Sequence, residues 1–128
     1  MSDQQKPFPF ADLLGFSVAS RGGGSSECEI ELQQQHMNPH GIAHGGVVFS
    51  IVDTGMGAAV SSSLQAGEIC STIEIKINYM RPAIAGKLIC LTNMVSKGKR
   101  TAVAESRVLD ENQKEVCRAL GTFMIIVT

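Results

Sequence analysis

Asn38-Pro39-His40-Gly41-Ile42-Ala43-His44-Gly45-Gly46-Val47-Val48-Phe49-Ser50-Ile51-Val52-Asp53 passes from a polar, glycine-rich loop straight into an apolar stretch that carries one carboxylate. The stretch is long enough to predict a helix from about His44 to Leu64. It is apolar almost all round, the pattern of a helix enclosed on several sides. Gly55, Gly57, Ala58 and Ala59 fill its second half. Glycine is a poor helix former, so its repeated use implies close approach of another backbone. The His44-Gly45-Gly46 step sets unpaired backbone N–H groups at the helix start, where developing negative charge is stabilised.

The flanks of this helix read as strands. Phe16 to Ala19 predicts a first strand, closed by Arg21-Gly22-Gly23-Gly24-Ser25. Cys28, Ile30 and Leu32 alternate with Glu27, Glu29, Glu31 and Gln33, a period of two that marks a half-buried strand. Pro39 and Gly41 break the loop from Gln34 to Ala43. Beyond the helix, Ile73, Ile75, Ile77 and Tyr79 alternate with Thr72, Glu74, Lys76 and Asn78. Lys87 to Val95, Thr101 to Leu109 and Glu115 to Val127 follow, separated by short polar turns that predict antiparallel pairing of consecutive strands. Two strands, one long helix and four strands make an α+β layer.

With 128 residues the chain is one domain. A net charge of −1 and the lack of Trp argue against nucleic acid, which demands a basic excess and stacking rings. Cys28, Cys70, Cys90 and Cys117 form no CxxC pair, so they read as small buried hydrophobes rather than zinc ligands. No metal site is expected. Met1 to Phe10 lacks the apolar core of a signal peptide, and the longest apolar run is short for a bilayer and contains Asp53. These features predict a cytoplasmic protein with no membrane insertion. Phe8, Phe10, Leu13 and Leu14 are expected to anchor the start of the chain onto the body.

Asp53 has Phe49, Ser50, Met56 and Gly57 one helical turn away, and no Lys or Arg stands between Arg21 and Lys76. A carboxylate among such neighbours costs several kcal/mol to bury unless it is paired or hydrogen-bonded. It therefore either reaches solvent or a facing amide, or serves as a base or nucleophile. The Gly45 N–H is an oxyanion donor at a helix N-terminus, or Gly45-Gly46 merely eases a tight turn. His44 is expected to orient the loop through its ring nitrogens. Asn38 either makes a turn with Pro39 or polarises a carbonyl. His36 and His40 read as loop residues. Arg81, Lys97, Lys99 and Arg100 are solvated turn cations or contacts for a nucleotide phosphate.

Gly45 and Asp53 are eight residues apart, which on one helix is about 12 Å of rise. Groups acting on one carbonyl must lie within roughly 3 Å of it. If both act together they must come from two subunits, with paired helices crossing a two-fold axis at the small residues Gly55, Gly57 and Ala58. The spacing predicts a homodimer with its sites at the interface.

Asn38-x-x-Gly41-x-x-His44-Gly45-Gly46 with Asp53 seven residues on resembles the hotdog-fold acyl-CoA thioesterases, in particular the PaaI-type and 4-hydroxybenzoyl-CoA branch. The likeness continues through Thr72-x-Glu-x-x-Ile-Asn-Tyr-Met-Arg-Pro-Ala83 and the Gly98-Lys99-Arg100 turn, over nearly the whole chain from Leu13. It implies a long helix wrapped by a curved antiparallel sheet of about six strands, as a hotdog domain over residues 13–128 behind an arm of residues 1–12. It further implies a homodimer, assembled as a dimer of dimers. The reaction implied is hydrolysis of a small or medium aromatic or aliphatic acyl-CoA, with no cofactor beyond the coenzyme A of the substrate. The Gly45 N–H would polarise the thioester carbonyl and the partner's Asp53 would act as general base or nucleophile. Asn38 and His44 would orient substrate and water, and Gly46 and Ser71 would line the substrate site. Thr72 would assist the water, a role Ser71 would fill after a one-residue shift. The CoA phosphates would meet Arg81, Lys97, Lys99 and Arg100. A hotdog hydratase or a non-enzymatic acyl-CoA sensor is the alternative.

Overall fold

In a computed structural model that describes residues 6–128, the chain runs α1 (Pro9–Leu14), β1 (Phe16–Gly22), β2 (Ser25–Glu31), a single 3-10 turn (Gln34–His36), α2 (Gly45–Ser61), β3 (Glu68–Tyr79), β4 (Lys87–Lys97), β5 (Thr101–Leu109) and β6 (Glu115–Val127). The first five residues of the expected arm lie outside the described residues. The six strands form one antiparallel sheet, and every one of them contacts α2. This is the hotdog arrangement, α2 being the enclosed helix. It ends three residues earlier than the apolar pattern suggests, where Ser62 caps it and Gly67 turns the chain at φ +84°.

The strand order is β1-β2-β4-β5-β6-β3. Strands β4, β5 and β6 pair consecutively across their short turns, as expected. Strand β3 does not pair with β4; it pairs with β6, while β4 pairs with β2. The link between β3 and β4 makes this crossing possible. Its Ala83 carbonyl accepts from the Ala43 N–H and its Gly86 carbonyl from the Leu32 N–H, so the link lies along the loop ahead of α2. Strand β3 is left as an edge of the sheet.

A second departure lies inside β3. Register shifts by one between Thr72 and Glu74, leaving Ile73 as an unpaired bulge. A one-residue slip exchanges the two faces of a strand. Thr72 and Cys70 therefore face α2 on one side of the bulge, and Ile75, Ile77 and Tyr79 face it on the other. Ile73 is half-exposed rather than part of the inward set.

The core lies between α2 and the sheet. Ile51, Val52, Met56, Ala59 and Val60 are fully buried against Cys28, Leu88, Cys90, Ala104, Val108 and Cys117. Desolvation pushes the Cys28 and Cys117 thiols up to about 12 and the Cys90 thiol up to about 11, so all three behave as inert apolar groups. Gly55 serves the sheet, not a partner helix. A Cβ there would stand 2.9 Å from Thr92 Oγ1, and the Gly55 carbonyl accepts from the Ser26 hydroxyl at 2.6 Å.

At the start of the chain α1 docks through buried Ala11, with Phe8 and Phe10 edge-on to Phe16 at centroid distances of 5.8 and 6.1 Å. Leu13 stays exposed. His36 is no surface loop residue; it is fully buried. Its Nδ1 accepts from the Gln33 N–H and its Nε2 meets the Leu14 carbonyl, fastening α1 to the loop before α2. No helix among the described residues is long and apolar enough to cross a membrane.

Candidate active site

The first turn of α2 is built by His44. Its Nδ1 accepts the Gly46 N–H at 2.8 Å, so the ring proton sits on Nε2. A Cβ at 46 would stand 3.0 Å from that nitrogen and press on the ring. The Val47 N–H donates to the His44 carbonyl at 2.9 Å. Two of the first three amides are thus satisfied locally. The Gly45 N–H donates to nothing among the described residues and is the open donor of this helix end. The slot a Gly45 side chain would fill is occupied by Tyr79, whose ring carbon and hydroxyl would lie 3.3 Å from the Cβ.

Two turns on, Asp53 is half-buried on the side of α2 that the sheet leaves open. Thr72 donates its hydroxyl to Asp53 Oδ1 at 2.7 Å. Ser71 lines the same groove as Asp53 and makes no such bond. The bulge at Ile73 thus lets β3 reach Asp53 with Thr72 and Gly45 with Tyr79.

The two groups open into different hollows. Asp53 lines a groove of about 750 Å³ with Thr54, Gly57, Ser61, Phe8 and Phe123, between the edges of β1 and β3. Gly45 lines a hollow of about 310 Å³ with Tyr79, Met80, Arg81, Pro82 and Val48. Neither of these two hollows holds both.

The thioesterase superfamily model matches residues 40–117, which span the α2 amino terminus, Asp53 and four of the six strands in whole or part. The chain belongs to the thioesterase superfamily. Acyl-coenzyme A thioesterase PaaI of Escherichia coli is 30% identical over 112 residues, covering 87% of this chain and 78% of that protein. The structure of E. coli PaaI superposes with a TM-score of 0.87 over 93% of this chain and 85% of its own, at 28% identity. The conserved protein PA5202 of Pseudomonas aeruginosa superposes with a TM-score of 0.92 over 98% and 100% of the two chains, at 32% identity. A 1,4-dihydroxy-2-naphthoyl-CoA hydrolase of Listeria monocytogenes is 26% identical over 114 residues, 89% of this chain and 93% of that protein. By family this chain is a PaaI-type hotdog thioesterase, a hydrolase of thioesters.

Other residues expected in the thioesterase site are distributed more widely. Asn38 Oδ1 accepts from the His40 and Ile42 amides at 2.9 and 3.3 Å, closing the loop before the helix, which leaves the side-chain NH2 as a donor. Lys97 Nζ donates to the Ser63 carbonyl at 2.9 Å, just past the end of α2. Lys99 and Arg100 form the exposed β4–β5 turn beside it. Arg81 is at the other end of the sheet. Thr101 and Ser71 both pair with Met124, whereas Tyr79 pairs with Cys117, roughly 25 Å further along the strands. One chain therefore brings Gly45 near Arg81 and Asp53 near Thr72, and does not unite the cations. His36 and His40 stand at HxxxH spacing, but their segment is a loop with His36 turned inward. No group of three metal-binding side chains forms among the described residues.

Sequence reasoning missed two residues. Tyr79 lay inside the matched motif, but strict alternation puts it on the face opposite Thr72 and only the bulge reverses that. His36 carried no local signal of burial, because its partner Leu14 is remote in the chain.

Proposed function

We propose that this protein hydrolyses acyl-CoA thioesters at sites shared between two subunits. One observation carries the proposal: on one helix, an unpaired N–H at Gly45 and a hydrogen-bonded carboxylate at Asp53 open into separate hollows. The exposed edge of β3 supports a dimer. It is a long strand with one unpaired side and half-exposed Ile69 and Ile73, which a copy of itself would satisfy. Antiparallel pairing of β3 with its copy would run the Tyr79 end of one strand past the Glu68 end of the other. That would bring Gly45 toward the partner's Asp53. The same rotation would gather Arg81 with Lys99 and Arg100 from opposite subunits around the coenzyme A phosphates. A dimer of dimers is part of the same proposal.

In this reading the thioester carbonyl oxygen lies on the Gly45 N–H, with the Asn38 amide as a second polar contact. Asp53, tethered at Oδ1 by Thr72, uses its other oxygen to take a proton from water. The water oxygen bonds to the carbonyl carbon and the negative charge gathers on the oxygen held by Gly45. Collapse breaks the C–S bond, and the proton on Asp53 passes to the departing sulfur, giving a free acid and a thiol. No cofactor is needed beyond the coenzyme A of the substrate. The groove beside Asp53, edged by Phe8, Phe16 and Phe123, suits a small or medium aromatic or aliphatic acyl group. The names of PaaI and the Listeria hydrolase fit such a substrate. A cytoplasmic location belongs to the proposal and suits four free thiols.

Free-thiol release from a panel of acyl- and aroyl-CoA esters tests the activity, and a mixing experiment tests the shared site. Gly45→Pro removes the donor at a first helical position, where His44 at ψ 135° already has the backbone that proline demands, and its Cβ, 3.3 Å from the Tyr79 ring and hydroxyl, requires that side chain to give by a few tenths of an ångström. Mixed and re-equilibrated with Asp53→Asn, this variant should recover about a quarter of the parent's sites, because half the dimers are mixed and one of their two sites is intact. A mixture as inactive as its components overturns the shared site. Enoyl-CoA hydration without thiol release overturns the hydrolase.

A further inference from the structure

Glycine has more backbone freedom than any other residue, and the peptide that carries the Gly45 N–H is tied by the helix at its other end, where the His44 carbonyl accepts from Val47; a tie on the Gly45 side of that peptide limits the freedom that remains. Tyr79 does this twice. Its hydroxyl donates to the Gly45 carbonyl at 2.7 Å, and its ring fills the place of the missing side chain. Partial burial, then the neighbouring Cys117, hold the phenol above its ordinary value, so it remains a proton donor across the neutral range. Tyr79 also lines the hollow into which Gly45 opens. The Ile73 bulge is what puts Tyr79 on the same face of β3 as Thr72.

We propose that Tyr79 is a positioning residue of the oxyanion site, locking the first residue of α2 from β3 so that the Gly45 N–H stays aimed at the thioester carbonyl. This rests on the role of Gly45 proposed above. It extends that role to a device: β3 holds the oxyanion donor through Tyr79 and the carboxylate through Thr72. A donor stabilises developing charge only when it is already aimed, so loosening the Gly45 peptide acts on the transition state and not on substrate binding.

Tyr79→Phe keeps the ring and removes the hydroxyl. It should lower kcat and kcat/KM together by about tenfold, with KM little changed, because the lost interaction is realised only in the transition state. Added to Gly45→Pro, which has no N–H left to aim, it should lower kcat no further. In a 15N spectrum of the parent and Tyr79→Phe, the Gly45 and Gly46 amide signals should move while those of the far end of α2 stay in place. An active parent whose Tyr79→Phe form keeps its kcat, or a loss that adds fully to that of Gly45→Pro, overturns the assignment to Tyr79 and leaves the hydrolase standing. A parent that cleaves no thioester instead removes the hydrolase reading, and this proposal with it.

Discussion

The two sides of α2 differ in everything except their neighbours in the chain. On the sealed side, Ile51, Val52, Met56 and Val60 are buried without remainder, and Gly55 lets the helix settle onto Ser26 and Thr92. On the open side, Asp53, Thr54, Gly57 and Ser61 face a groove that the sheet does not cover. Stability is concentrated on the first side, and the groups available for chemistry lie on the second. Residues as close as Asp53 and Gly55 fall on opposite sides because each helical residue turns by about 100°.

The sharpest way to break this contrast is Asp53→Asn. It should lower thioester hydrolysis by about 10²–10⁴-fold, measured by thiol release, while thermal melting barely moves, since the side chain seals nothing. An active variant would strip the open side of its role. Gly55→Ala should do the reverse. Its Cβ would press on Thr92 Oγ1, and overpacking of this kind costs about 1–3 kcal/mol, read as a lower melting temperature. The same change at Gly57, where the nearest atom would lie 3.7 Å away, should be neutral or stabilising by up to about 1 kcal/mol through helix propensity. Equal melting of the two variants would erase the distinction.

Thr72→Val should cost about tenfold in kcat by freeing one oxygen of Asp53, and Thr72→Ser should restore most of it. A Ser that does not rescue would mean that Thr72 works through packing alone. The smallest effect at neutral pH concerns the thiols of the sealed side. Their ionisation lies above the ordinary value of 9.0, so they are protonated in folded and unfolded chains alike below that pH. Above pH 9 the unfolded chain loses these protons first, and folding stability should fall as pH rises toward 11. Replacing Cys28 by Ala or Ser should flatten part of that fall in melting curves taken against pH.

Much of the site was readable from residues close in sequence. His44-Gly45-Gly46 announced a helix start with open donors, and the structure narrows those donors to one because the His44 ring takes another. Thr72 and Ser71 were indistinguishable by sequence, since adjacent residues differ only in facing and a bulge decides which face is inward. Lys97 was grouped with Lys99 and Arg100 by proximity in the chain, yet its ammonium is taken by the Ser63 carbonyl, 34 residues earlier. Arg81 was added to that group by charge, and strand register separates it by the length of the sheet.

The sequence by itself determined the elements and the enclosed helix, because hydrophobic period is a local quantity that the order of residues writes directly. Only the tertiary structure decided the strand order, the inward turn of Thr72 and Tyr79, and which amide remains free. Those depend on a bulge, a crossing link and hydrogen bonds between residues far apart in the chain, where periodicity carries no information.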